Sequence, residues 1–454
     1  MSKPSIPKGT RDFLPGQVIK RNFIFSTIRS VFEKYGFLPV ETPAMEELKT
    51  LTGKYGEEGD RLLFKVLNNG DYLNKANKEA LANLDSVALT SSISKRGLRY
   101  DLTVPFARYV VMHQNDLQFP FKRYQIQPVW RADRPQKGRY QEFYQCDVDV
   151  VGSKSLMYEA ELISIYNEAF EKLGVDVIIK VNNRKVLFGL AESAGIADQF
   201  MDMTVAIDKL DKIGADGVKK EMLGKGIPET AIQQIVENLA ISDLDKLETA
   251  FANSEIGLEG IEELRQVHRF VDTDKLKNEV RFDITLARGL NYYTGCIFEV
   301  QANPQSYPDL VMGSIGGGGR YDNLTEVFGM KDMSGVGISF GAARIFDVME
   351  EENLFPEGLA NTIPILFMGM DEESHQVAFA SASRLRAAEI PCDVYPEAAK
   401  FKKQMKYANA KAYPFTVIIG QEEREAGLMT LKNMDTGEQE RLDVETLIQQ
   451  FKAK

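Results

Sequence analysis

Apolar side chains recur along this chain with two different periods, and each change of period marks an element. Ile24, Ile28, Val31, Phe32 and Tyr35 fall on one face of a 3.6-residue repeat, which predicts a helix after Pro15 and Gly16. Gly36, able to adopt a left-handed conformation, is expected to stop it. A second helix is predicted over residues 155–173, with Leu162, Tyr166, Phe170 and Leu173 inward and Gly174 after its last turn. Three other runs alternate strictly. In residues 98–103, Arg99, Asp101 and Thr103 oppose Leu98, Tyr100 and Leu102; in 142–150, Gln145, Asp147 and Asp149 oppose Tyr144, Cys146, Val148 and Val150; in 281–286, Arg281, Asp283 and Thr285 oppose Phe282, Ile284 and Leu286. Such a period of two predicts strands with one polar and one apolar face. The fold class expected is therefore α+β, a largely antiparallel sheet flanked by helices on its apolar face, and not a doubly wound parallel sheet buried on both faces.

Residues 191–275 have a different texture, short amphipathic repeats with charged outer faces, and predict a helical insertion that splits the sheet domain into 1–190 and 276–355. After a linker at 353–358, apolar runs at 363–368 and 415–419 alternate with helical stretches, which predicts a small α/β domain over 360–454. No internal repeat or low-complexity tract interrupts this order.

Composition narrows the class further. At 454 residues the chain exceeds what one core usually organises, and its 44% hydrophobic and 27% charged residues are those of an ordinary globular protein. Cys146, Cys296 and Cys392 are widely spaced, so neither a disulfide framework nor a cysteine-rich zinc site is expected, and a reducing, cytoplasmic setting fits. The N-terminal residues lack the apolar core of a signal peptide, and no run approaches a membrane span, so no membrane partner is expected. A net charge of −11 argues against wholesale coating of nucleic acid and confines any such contact to a local basic patch. His113, His268 and His375 form no metal-binding spacing.

One polar strand face alone would ordinarily meet water. Acids, an amide and arginines clustered beside arginine- and glycine-rich loops point instead to a polar-floored pocket. The loop at 131–140 carries Arg131, Arg134, Lys137 and Arg139, and Arg131, at the strand end, suits a bidentate grip on phosphate or carboxylate. Four glycines at 316–319 precede Arg320 and Tyr321 and suggest close backbone approach to a ligand. The glycines at 335–341 have G-x-G-x-x-x-G spacing, and with no P-loop present they support neither a Rossmann nor a P-loop reading.

Taken in order, these segments resemble a class II aminoacyl-tRNA synthetase, and within that class the chain is similar to the histidyl-tRNA synthetase family over its full length. Pro43 matches the motif 1 proline of the dimer interface, residues 131–143 match motif 2, and 335–344 match motif 3. The runs R-G-L-N-Y-Y-T-G at 288–295 and G-G-G-R-Y-D at 317–322 resemble segments particular to the histidine enzyme.

The resemblance implies a homodimeric ligase that activates L-histidine with ATP and Mg²⁺ and transfers it to tRNA(His), with an anticodon-binding domain at 360–454. It places Arg131 on the α-phosphate, Arg344 toward the γ-phosphate, Asp133 in motif 2, and adenine between Phe143 and the Arg344 guanidinium. Arg288 would reach the α-phosphate from the amino-acid side. Asp101 and Thr103 would hold the α-ammonium, while Gln145, Asp149, Tyr292, Tyr293 and Tyr321 would read substrate and imidazole. Gln136, Lys137 and Arg139 would meet the tRNA acceptor end; Lys402, Lys403 and Lys406 lie in an acid-free basic run suited to tRNA. Asp101, Asp133 and Asp149 stand where the commonest bacterial pattern often has glutamate, and Asn291 where it has aspartate. No metal ligands are assigned. The rival implied by the same resemblance is a catalytically silent, histidine-sensing regulatory subunit of ATP phosphoribosyltransferase, which usually lacks the C-terminal module and some motif residues.

Overall fold

The computed structural model describes residues 3–53, 56–287, 292–359 and 363–452, without the side chains of 56–58 and 274. The chain divides into two compact units at Phe355 and Pro356. In the first unit, the largest sheet among the described residues has eight strands: β1 (Leu38–Pro39), β2 (Phe121–Trp130), β3 (Glu142–Val151), β4 (Val177–Asn183), β5 (Glu279–Phe282), β6 (Cys296–Ala302), β7 (Gly316–Tyr321) and β8 (Gly335–Gly341). Their order is β1-β2-β3-β8-β7-β6-β4-β5. The interior pairings from β2 to β4 are antiparallel; only the two edge strands pair in parallel.

The apolar face behaves as the sequence predicts. Helix Pro15–Lys34 buries Ile24, Ile28, Val31 and Phe32, and helix Met157–Leu173 buries Leu162, Tyr166, Phe170 and Leu173. Both pack on Cys146, Val148, Val150 and Phe340 from the underside of β3 and β8. Gly36 and Gly174 have φ of +80° and +71°, the left-handed stop that ends each helix. Residues 200–270 form successive helices, and Met203, Ile207, Met222, Ile235, Phe251 and Ile261 from them belong to the same apolar cluster.

Two predicted strands are corrected. Of the first run only Leu98 is in a strand, Arg96–Leu98, which lies at the centre of a separate three-stranded sheet. The chain then turns, because Asp101 Oδ1 accepts the Val104 N–H at 3.1 Å and Pro105 suits the first turn of helix Thr103–Met112. The third run stops at Phe282, where Asp283 accepts the backbone N–H and hydroxyl of Thr285 in a local turn. Arg281 pairs with Glu279 and Asp283 with Lys180 at this edge. The glycine run is a strand, β7, in the middle of the sheet rather than a loop.

That strand explains the shape of the upper face. Register places Gln125, Asp147, Ser339, Gly317, Glu299 and Lys180 in one row across the sheet. The next row holds Arg123, Asp149, Gly337 and Gly319. With Gly341, the glycines on β7 and β8 remove every side chain but Ser339 and Tyr321 from the middle of this face and leave a trough. A Cβ at Gly337 would stand 1.9 Å from Asp149 Oδ1, and one at Gly319 would stand 2.8 Å from the Tyr293 ring.

The second unit is a five-stranded mixed sheet. Ile365–Gly369 runs parallel to Cys392–Val394 and Phe415–Ile419, and Met429–Asn433 and Gln439–Leu442 continue it antiparallel. Ile365, Phe367 and Val417 face one apolar cluster with Leu385 and Leu447; Leu366 and Met368 face another with Tyr395, Ala408 and Tyr413. Both faces are covered, as parallel strands require.

Gly337→Ala is expected to destabilise the first unit by about 1–3 kcal/mol, since the new methyl displaces a buried carboxylate. Gly224→Ala, where an added Cβ meets nothing within 4 Å, is the control and is expected to be neutral or slightly stabilising in the same urea titration.

Candidate active site

The trough opens into a cavity of about 710 Å³ in the first unit. Strand β3 supplies one wall, because its alternation turns Gln145, Asp147 and Asp149 upward while Cys146, Val148 and Val150 go to the core. Asp147 and Asp149 are only 2% and 3% exposed, so two neighbouring carboxylates are out of water. The compensating cation is Arg123 on β2, fully buried, with Nη2 at 2.7 Å from Asp149 Oδ2 and its guanidinium over the Phe106 ring. Tyr321 donates its hydroxyl to Asp149 Oδ1 at 2.7 Å. Burial raises the Tyr321 and Tyr293 phenols well above their ordinary range, so both remain neutral donors. Tyr292 crosses Tyr293 edge-to-face at 4.9 Å and Tyr321 at 6.2 Å, closing this end with phenols.

The other end is cationic. Arg131, just past the end of β2, donates from Nε to the Tyr100 carbonyl at 3.1 Å and lies over the Tyr100 and Phe143 rings at 4.2 and 5.2 Å. Arg344 is in the first turn of helix Ala342–Glu351, which follows β8 directly. It donates from Nε to the Gly138 carbonyl at 2.8 Å and from Nη1 to the Ser314 carbonyl at 2.5 Å. Phe143, Asp133 and Arg139 line this same end, and Arg139 lies 3.8 Å from Asp133.

Most residues singled out in the sequence are therefore brought together: Thr103, Arg131, Asp133, Arg139, Phe143, Gln145, Asp149, Tyr292, Tyr293, Tyr321 and Arg344 all line the one cavity. Asp101 is buried but does not line it; one of its oxygens caps the helix at Val104. Arg288 and Asn291 lie outside the described residues. Gln136 bridges to Arg139 through the backbone in the motif 2 turn, and Lys137 pairs with Glu351 at 2.7 Å. In the second unit, Lys402, Lys403 and Lys406 are exposed on helix Phe401–Ala410, with Lys403 paired to Glu397. Among the described residues no three His, Cys, Asp or Glu side chains gather as a metal site, and no helix is long and apolar enough to cross a membrane.

Several contributors escaped the sequence reading. Arg123 and Gln125 alternate with Tyr124 and Ile126 as plainly as β3 does, so the signal for a polar face on β2 was present. Asp147 was on the predicted face but had no assigned role. Ser339, its neighbour on β8, and Glu299, across the trough, sit in strands whose glycines and apolar residues hide a period of two.

Comparison with known proteins gives the same outline. The family model described as Histidyl-tRNA synthetase matches residues 9–345, and that described as Anticodon binding domain matches 362–454. The histidine–tRNA ligase of Phocaeicola vulgatus is 54% identical, with all of both chains covered, and that of Christiangramia forsetii is 56% identical over 97% of each. Among solved structures, the histidyl-tRNA synthetase from Nostoc sp. PCC 7120 is 32% identical, with a TM-score of 0.83 over the whole of both chains. A structure titled as an ATP phosphoribosyltransferase regulatory subunit/histidyl-tRNA synthetase, from Bacillus halodurans C, shares the fold at 18% identity and a TM-score of 0.73, covering 92% of this chain. With matches that span both units and identities above half to full-length relatives, the chain belongs to the histidyl-tRNA synthetase family.

Proposed function

We propose that the chain is a histidine–tRNA ligase, which activates L-histidine with ATP and transfers it to the 3′ end of tRNA(His). The observation that carries this reading is a single cavity with an acid- and phenol-lined end beside an arginine- and phenylalanine-lined end. Free histidine offers an ammonium, an imidazole N–H and a carboxylate; ATP offers phosphates and an adenine ring. In the first half-reaction a carboxylate oxygen of histidine attacks the α-phosphorus. A new C–O–P linkage forms, and the bond to the bridging oxygen breaks with its electrons leaving on pyrophosphate. In the second, a terminal ribose hydroxyl of the tRNA attacks the acyl carbon and AMP departs. Negative charge gathers on phosphate oxygens in the first step, so prearranged guanidiniums lower its barrier. Arg131 and Arg344 supply them here, with Arg288 as the third, and adenine stacks between Phe143 and Arg344.

Mg²⁺ keeps several waters and usually takes one or two carboxylates together with phosphate oxygens. Glu299, a carboxylate in the cavity facing Gly317, fits that requirement, and the bound ion would neutralise the leaving pyrophosphate. The rival regulatory role fits less well, since the C-terminal module is present and Arg131, Phe143 and Arg344 line the cavity together. A homodimer is supported by Pro43 of motif 1, which is exposed in the single chain beside Leu38 and Met45, at 59% and 46% exposure. The motif 2 turn, with Gln136, Lys137 and Arg139, is the proposed contact for the acceptor end, and the lining of the cavity by Arg139 supports it.

Histidine-dependent exchange of pyrophosphate into ATP is the direct test. Exchange is expected with histidine and not with proline, and Arg131→Ala and Arg288→Ala are each expected to slow it by about 10²–10³-fold while changing ATP binding much less. Equal exchange with both amino acids defeats the assignment. Replacing Lys402, Lys403 and Lys406 together with Ala is expected to raise the KM for tRNA, most at low salt, to flatten its salt dependence, and to leave pyrophosphate exchange unchanged. Unaltered charging kinetics across a salt series would remove that helix from the tRNA-binding surface.

A further inference from the structure

We propose that Arg11, Tyr140 and Asp347 form a clasp that holds the motif 2 turn against the helix carrying Arg344, and are thereby positioning residues for the arginine-lined end of the cavity. The proposal deepens the ligase reading, which puts ATP at that end, and rests on it.

The turn between β2 and β3 has little of its own to hold it in place. It carries Arg134, Lys137 and Arg139, whose mutual repulsion favours spreading into water, and its tip is closed by two backbone bonds between Gln136 and Arg139, at 2.9 and 3.2 Å. Other parts of the chain must fix it. Helix Ala342–Glu351 offers Arg344, Asp347 and Glu351, spaced i, i+3 and i+7 and therefore on one face. Each meets a different residue of the turn. Arg344 Nε donates to the Gly138 carbonyl at 2.8 Å, the Tyr140 hydroxyl donates to Asp347 Oδ2 at 2.8 Å, and Lys137 Nζ donates to Glu351 Oε1 at 2.7 Å. The last pair is largely exposed, its side chains 57% and 39% accessible, and contributes little. The first two contacts fall on the residues either side of Arg139, which lines the cavity. Pinning Gly138 and Tyr140 therefore sets where the Arg139 guanidinium points.

Arg11 closes the clasp from the N-terminal arm. Its guanidinium lies 3.4 Å from the centre of the Tyr140 ring and pairs with Asp347 Oδ1 at 3.5 Å, so it touches both partners of the hydrogen bond. Burial raises the Asp347 carboxyl, and Tyr140 and Arg11 pull it back; burial also raises the Tyr140 phenol, which stays a neutral donor. The arm is itself held in register. Gly9 accepts the Gln141 N–H at 2.8 Å with a φ of +83°, and a Cβ there would stand 2.7 Å from the Gln141 side chain. Phe13 lies under the Arg21 guanidinium at 3.8 Å, which ties the arm to helix Pro15–Lys34. Gln141 in turn accepts the Arg131 N–H at 3.0 Å. The same few residues thus hold the backbone of Arg131, the turn bearing Arg139 and the carbonyl that orients Arg344.

The test is pyrophosphate exchange, with calorimetric binding of ATP and of histidine, on the full chain and its variants. Arg11→Ala is expected to raise the KM for ATP by about 5- to 30-fold, the range for losing a cation–π contact and a partly buried ion pair, and to leave histidine binding within about twofold. Tyr140→Phe keeps the ring beneath Arg11 and loses only the hydroxyl; it is expected to raise the KM for ATP by about 3- to 10-fold, again sparing histidine, and decides the matter should Arg11→Ala misfold. In the double variant the two effects are expected to fall short of their product, since both open one clasp. An unchanged KM for ATP, an equal loss of histidine affinity, or a double variant that matches the product of the single effects overturns the proposal. Absence of histidine-dependent exchange in the unaltered protein would instead overturn the ligase reading, and this inference with it.

Discussion

The upper face of the eight-stranded sheet is polar and yet largely withdrawn from water, and the site is organised around that cost. A carboxylate in such a place persists only if a cation and hydrogen-bond donors accompany it. Arg123 provides the cation from the neighbouring strand, in the same row as Asp149, itself inaccessible and backed by Phe106. Removing one member of a buried pair of this kind typically costs about 3–5 kcal/mol, because the survivor is left charged and unsolvated. The pair's contribution lies in orientation rather than in net stability: it pins Asp149, and through Asp149 the Tyr321 hydroxyl, before any substrate arrives.

Legibility in the sequence follows the physics of each segment. Strand β3 was legible residue by residue because it is buried on both faces by different chemistry, so alternation of acid or amide with apolar side chains survives intact. The runs at 98–103 and 281–286 alternate as well, but short polar side chains at Asp101 and Asp283 satisfy nearby backbone N–H groups and turn the chain. Strand β7 was hidden for the opposite reason. A strand of four glycines carries no alternation, and only its pairing with β6 and β8 holds it extended. Motif spacing singled out Arg131 and Arg344, which line one cavity, but could not show what holds them, since they are fixed by the carbonyls of Tyr100, Gly138 and Ser314, which any residue would supply.

The two ends of the cavity are stabilised differently, and the difference suits what each would handle. At the arginine-lined end, backbone carbonyls set the planes of the guanidiniums, an arrangement that orients a cation without cancelling its charge. At the acid- and phenol-lined end, side chains are tied to one another: Arg123 to Asp149, Tyr321 to Asp149, Gln145 to Ser339. A network of that sort discriminates by leaving partners unpaired when the wrong ligand enters, which is how hydrogen-bonding sites reach higher selectivity than apolar pockets. Net charge tells little about either end. An acidic chain can carry a cationic phosphate site because the guanidiniums are local and lie within a cavity, where fields are screened less than on the open surface.

Side-chain size at two positions couples these arrangements. Asp149 lies against Gly337 so closely that any Cβ there would overlap its carboxylate. The aspartate at 149 accepts from the Tyr321 hydroxyl and reaches Arg123 while lying against Gly337. The short acid and the absent side chain are thus a single adaptation. Together they set the depth of the floor beside Asp147 and Gln145, the next residues along the strand that line the same cavity.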